Sequence, residues 1–168
     1  MELPQRQRRQ PPPGDFSDPL KDYSKPVYGD DMERAMMEGT MADMTITPFG
    51  TLGPDATVEE ALKAMVQRDI ACLIIAAADG RLLGVFSERD VLNQVVGQFD
   101  EIKHVPVRAL MTPDARSVRI TDSPAKAINI MATGGFRHVP VVDLEDRVVG
   151  VVGPRRMTRY LDQAVAAA

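Results

Sequence analysis

The sequence holds one cysteine, two histidines and no tryptophan in 168 residues. A single cysteine excludes a disulfide framework and every metal site built from several cysteines. Cys72 lies inside the apolar run ACLIIAA, which predicts a buried, inert thiol rather than a nucleophile. His104 and His138 lack a metal-ligand spacing. No apolar run approaches the ~20 residues needed to span a bilayer. The N-terminal stretch MELPQRQRRQPPPGD lacks the apolar core of a secretory signal, so a soluble cytoplasmic protein with no membrane contact is expected. A basic excess is missing too. The net charge of −4 argues against a protein that holds nucleic acid, despite the small basic groups Arg6, Arg8, Arg9 and Arg155, Arg156, Arg159. There is no G-x-x-x-x-G-K-S/T, no G-x-S-x-G and no G-x-G-x-x-G, and no carboxylate pair stands out as an acid/base couple. An enzyme is not expected.

The chain has ordinary globular composition, 44% apolar and 26% charged. Residues 1–40 differ from the rest, with the triplet Pro11, Pro12, Pro13 and little periodicity. They read as a mobile arm, or as a segment that packs on a partner, within which DDMERAMMEGTMADM can form a short methionine-faced helix. The remainder is a repeat. Gly84 and Gly150 stand 66 residues apart, and the same offset carries Ala61 onto Ala127, Met65 onto Met131, Arg81 onto Arg147 and Val85 onto Val151. Each copy opens with a short β-like run (51–52; 117–120) and a helix start. Thr57 and Glu60 form a T-x-x-E capping box in the first, while Ser123 and Pro124 serve as cap and first residue in the second. An apolar strand (71–76; 138–142), a polar turn (Asp79-Gly80; Glu145-Asp146), a second strand (82–86; 148–152) and a further helix follow. Thr133-Gly134-Gly135-Phe136 reads as the glycine stop of a helix. The expected architecture is α/β (α+β): two tandem ββα-type repeats, 41–104 and 105–168, packed sheet against sheet with pseudo-twofold symmetry as one module behind the arm.

The two junctions before the last helices read GVFSERD (84–90) and GVVGPRR (150–156). Ser87-Glu88-Arg89-Asp90 fits a capping box, with Asp90 reaching back to the Ser87 amide. Gly153-Pro154 starts a helix without either side chain, so the fold does not demand them. The same atoms suit a ligand: the unpaired amides of a helix start attract phosphate, and a carboxylate one turn on can accept two hydroxyls. Arg137 and His138 stand together before VPVV; they read as a solvated strand end and a satisfied polar residue beside a core strand, with Arg137 able to supply a forked, permanently charged donor. Their counterparts are Ala71 and Cys72. Arg156 can fold back to an acid, reach toward phosphates, or rest as a surface arginine with a salt-bridge partner.

Residues 45–162, with GVFSERD and GFRHVPVVD as the closest wording, resemble a tandem pair of cystathionine-β-synthase-type (CBS) domains. The resemblance implies a regulatory module, often a flat homodimer, that binds an adenine nucleotide between its copies: AMP first, with ADP, ATP or an NAD-type ligand behind it. It implies a site made of Val85, Ser87, Arg89 and Asp90 from one copy, with Arg116, Ser117, Val118, Arg137 and His138 from the other. Asp90 would hold the ribose, and Ser87, Arg137 and His138 the phosphates. One nucleotide per chain is expected, with no catalytic cofactor and an output acting in trans on an unknown protein. The competing expectation is a non-binding dimer scaffold with a vestigial cleft, its arm recruiting a partner.

Overall fold

The computed structural model describes residues 24–166. Helix α1 (Asp31–Glu38) is capped by Asp30, whose carboxylate accepts the Glu33 amide. Strand β1 (Gly50–Leu52) leads to α2 (Val58–Arg68), where Thr57 and Glu60 make the capping box: the Thr57 amide donates to Glu60 Oε2 at 2.7 Å and the Glu60 amide to Thr57 Oγ1 at 3.2 Å. Strands β2 (Cys72–Ala76) and β3 (Leu82–Ser87) follow, then a helical turn, α3 (Glu88–Asp90), that continues as a π-helical turn over Val91–Val95. After α4 (Phe99–Ile102) and the short β4 (Thr112–Pro113), the pattern recurs as β5 (Val118–Arg119), α5 (Pro124–Gly134), β6 (Val139–Val142), β7 (Val148–Val152) and α6 (Pro154–Ala166). Ser123 stands at the start of α5 as expected, but its side chain makes no capping hydrogen bond, and Pro124 supplies the helical φ instead. Helices α2 and α5 both stop at a left-handed residue, Asp69 (φ 50°) and Gly135 (φ 64°), 66 positions apart.

In each repeat a parallel pair (β1 with β2, β5 with β6) is extended by an antiparallel hairpin partner (β3, β7). The hairpin turns place Gly80 (φ 87°) and Asp146 (φ 60°) at equivalent positive-φ positions, which glycine and aspartate tolerate better than bulkier residues. The two sheets meet at a small apolar cluster of Cys72, Ile74, Val85 and Val151, against which Phe49 and Ala115 pack. The Val148 amide donates to the Gly80 carbonyl at 3.0 Å, tying the two hairpins together. The expected paired α/β architecture is therefore present.

The two repeats interlock through their leading segments. Residues 107–109 and 41–43 form equivalent 3₁₀ turns, and each is bonded into the other half of the chain. The Val107 and Arg108 amides donate to the carbonyls of Ala56 and Pro54. The Met41 and Ala42 amides donate to those of Asp122 and Ile120, each acceptor 66 positions from its counterpart. Met41, Met44 and Ile46 accordingly lie in the core of the second repeat, with Val118, Val139, Val152 and Met157, although a reading by chain order assigns them to the first. Each repeat thus lends its leading segment to the other. Glycine is needed where that segment crosses: a Cβ on Gly84 would stand 2.6 Å from the Thr112 carbonyl oxygen, and one on Gly150 2.6 Å from Ile46 Cβ. Of the expected arm (1–40), residues 1–23 lie outside the described residues. Residues 31–38 are α1, seated on α5 and α6, with the Tyr160 hydroxyl donating to the Ala35 carbonyl at 3.1 Å.

Candidate functional site

A cleft of about 270 Å³ opens between the repeats, and Ser87–Asp90 at the end of β3 form one wall. Asp90 is 8% exposed and is the one charged side chain classed as buried among the described residues. Its carboxylate gathers three donors: the Ser87 amide (2.8 Å), the Ser87 hydroxyl (2.7 Å) and, more loosely, Thr112 Oγ1 (3.4 Å). No arginine, lysine or histidine among the described residues reaches it as an ion-pair partner. A buried carboxylate is costly unless its lone pairs are used, and hydroxyl and amide donors supply that here. The capping box and the cleft wall are thus the same atoms, so the two readings of S-x-x-D do not exclude each other. The π turn directly after the motif is a departure from α geometry of the kind that recurs at functional sites, and α6, its counterpart, is regular throughout.

The opposite wall carries Arg116, Arg137 and His138. Arg89, Arg116 and Arg137 have no ion-pair or hydrogen-bond partner among the described residues, unlike Arg34, Arg81, Arg108, Arg119 and Arg147, each paired to a carboxylate. Three unpaired guanidiniums around one cleft create a field for an anion, with Glu88 as the opposing exposed charge. Val85, Leu92, Ala115 and Phe136 add apolar surface to the lining. The structure thus brings Val85, Ser87, Arg89, Asp90, Arg116, Arg137 and His138 to one cleft. Ser117 and Val118 are not on its lining: Val118 is 1% exposed and turned into the core of the second repeat, opposite Val141. Thr112, Asn93 and Ala115 line it without having been singled out in the sequence. Only the repeat offset, applied from Ile46 and Phe49 onto Thr112 and Ala115, signals the last and the first of these, because neither lies in a local motif.

His138 is half-buried, and its ring lies against Gly153, where a Cβ would stand 3.0 Å from His138 Cδ2. Gly153 therefore makes room for the imidazole, whereas Ser87 faces the smaller counterpart Cys72, its antiparallel neighbour. Burial holds the His138 pKa below the ordinary value. Glu88 opposes that shift, and the Arg156 and Arg137 charges add to it. A depressed histidine pKa means that the unfolded chain takes up a proton first, so stability should fall as pH drops below about 6.5. Melting temperatures of wild type and His138→Gln across pH 5 to 8 check this: the wild-type loss on the acid side should shrink in the variant.

The paired α/β repeat thus places a buried carboxylate, and three guanidiniums without partners among the described residues, around one inter-repeat cleft. The chain belongs to the CBS domain family, which matches residues 41–97 and 107–163. It is 26% identical over 125 residues to an uncharacterized 17.7 kDa protein of Acidianus ambivalens, covering 74% of each. It is 35% identical over 113 residues to the CBS domain-containing protein CBSCBSPB1 of Arabidopsis thaliana, covering 64% of this chain and 20% of that one. Among solved structures it resembles the CBS domain protein PAE2072 of Pyrobaculum aerophilum complexed with AMP: TM-score 0.66, 26% identity, 77% of this chain and 99% of that one covered.

Proposed function

We propose that the chain is a regulatory ligand-sensing module that binds an adenine nucleotide, AMP foremost, in the cleft between its repeats and acts in trans on a partner protein. The observation that carries this is Asp90, a buried carboxylate without a cation partner among the described residues, in a cleft lined by three arginines that are likewise unpaired among them. In this reading Asp90 accepts the two ribose hydroxyls. The phosphate sits beside Arg137 and His138, with Arg89 and Arg116 at the mouth. Val85 and Ala115 offer the apolar surface against which a base packs. The Pyrobaculum relative with AMP supports the ligand class. Closure on the nucleotide joins β3 and α3 of one repeat to β6 of the other, so ligand favours whichever arrangement brings those walls together. A homodimer is part of the proposal; Leu92 and Val96, exposed next to the site, are apolar surface available to such a contact.

Calorimetric titration with AMP, ADP, ATP and NAD tests this. AMP should bind more tightly than about 1 mM, the equivalent of about −4 kcal/mol. Absence of binding by all four at that concentration overturns the sensor and leaves the scaffold reading.

A further inference from the structure

The internal repeat defines a second cleft, related to the first by the 66-residue offset, and its equivalent residues can be compared one by one. Where the open cleft has Asp90, the second has Arg156; where it has Ala115, the second has Phe49; where it has Ser87 and Thr112, the second has Gly153 and Ile46. Arg156 mirrors Asp90 with the polarity inverted. Asp90 collects three donors, whereas the Arg156 guanidinium donates to three backbone carbonyls, those of Ile46, Pro48 and Val151, the last at 2.6 Å. No carboxylate among the described residues pairs with it. The acid partner or surface salt bridge expected of this arginine gives way to two carbonyls of the crossing segment and one of β7. Phe49 packs at the sheet-to-sheet cluster beside Cys72 and Val151, and Cys72 is the counterpart of the cleft residue His138.

We propose that the second cleft is occupied by the chain itself: Phe49 and Arg156 fill it, close it to nucleotide and clasp the crossing segment 46–49 onto β7. The first cleft has no such clasp. Its crossing segment 112–116 presents Thr112, Ala115 and Arg116 to the open space. A nucleotide there, on the reading proposed above, does for 112–116 what Phe49 and Arg156 do permanently for 46–49. The asymmetry between the heptads is then a division of labour: one crossing segment is fixed by the chain, and the other is held by ligand. Stoichiometry follows from this, because of the two clefts only the first is left open among the described residues.

Two measurements test the proposal. Equilibrium dialysis of AMP against the wild-type chain should saturate at one per chain, and saturation at two overturns it. Reaction of Cys72, the sole thiol and a buried one, with a small aromatic disulfide should be slow in wild type and at least about tenfold faster in Phe49→Ala and in Arg156→Ala. Unchanged rates in both variants overturn the closure. If Arg156→Ala does not melt cooperatively, Arg156→Met, which keeps the stem and removes the donors, takes its place. If the wild type takes up no AMP, the nucleotide reading fails, while the Cys72 rates still decide whether the second cleft is filled.

Discussion

Asp90→Asn is expected to weaken AMP binding by about a hundredfold or more and to leave the fold standing. A hydrogen bond to a charged group contributes about 1.5–3 kcal/mol, and the carboxylate is assigned two of them to the ribose hydroxyls, so their loss reaches two decades or beyond. The fold should tolerate the change for two reasons. An asparagine oxygen still accepts the Ser87 amide, now bonded to Asp90 at 2.8 Å. The equivalent junction at Gly153-Pro154 also starts a 13-residue helix without any such carboxylate. Titration calorimetry gives the affinity and a thermal melt gives the integrity. Equal binding by variant and wild type would remove Asp90 from the site.

Met41→Ala is expected to cost about 2–5 kcal/mol of stability, the range for emptying a buried methionine site. Met41 is 0% exposed and lies in the core of the second repeat, against Val118, Ala127 and Val139, while its amide bonds to Asp122. Urea denaturation measures it. Val66→Ala, at a position 81% exposed, should change stability by no more than about 0.5 kcal/mol and serves as the control. A loss that small at Met41 would mean that the crossing segment is not part of the folded unit.

Sequence alone made the repeat legible because its signals are local. The Thr57–Glu60 box, the Pro124 start, the alternation of apolar strands and the turns at Gly80 and Asp146 each need only neighbours in the chain to be recognised. The exchange of leading segments was not legible for the opposite reason. Met41 and Ala42 find their acceptors at Asp122 and Ile120, far along the chain, and nothing in MADMTI announces those partners. The same holds within the site. Ser87, Asp90, Arg137 and His138 belong to short motifs and were found through them. Thr112 reaches Asp90 across 22 residues from a linker, and Ala115 matters for being small, which no motif records. A lone arginine suggests an acid, whereas folding offers Arg156 two carbonyls on the crossing segment, whose placement no local motif records, and a third on β7. Ser117 and Val118 were drawn from the family's pattern of an entry strand against the base. Here Val118 opposes Val141 in the sheet and its side chain belongs to the core.

The most direct test is a crystal structure of the chain grown with AMP. One nucleotide per chain is expected between the repeats, its ribose hydroxyls on Asp90 and its phosphate beside Arg137 and His138, with Phe49 and Arg156 still filling the second cleft. AMP bound at Gly153 and Arg156, or a cleft left empty at AMP concentrations that saturate the protein in solution, would contradict it.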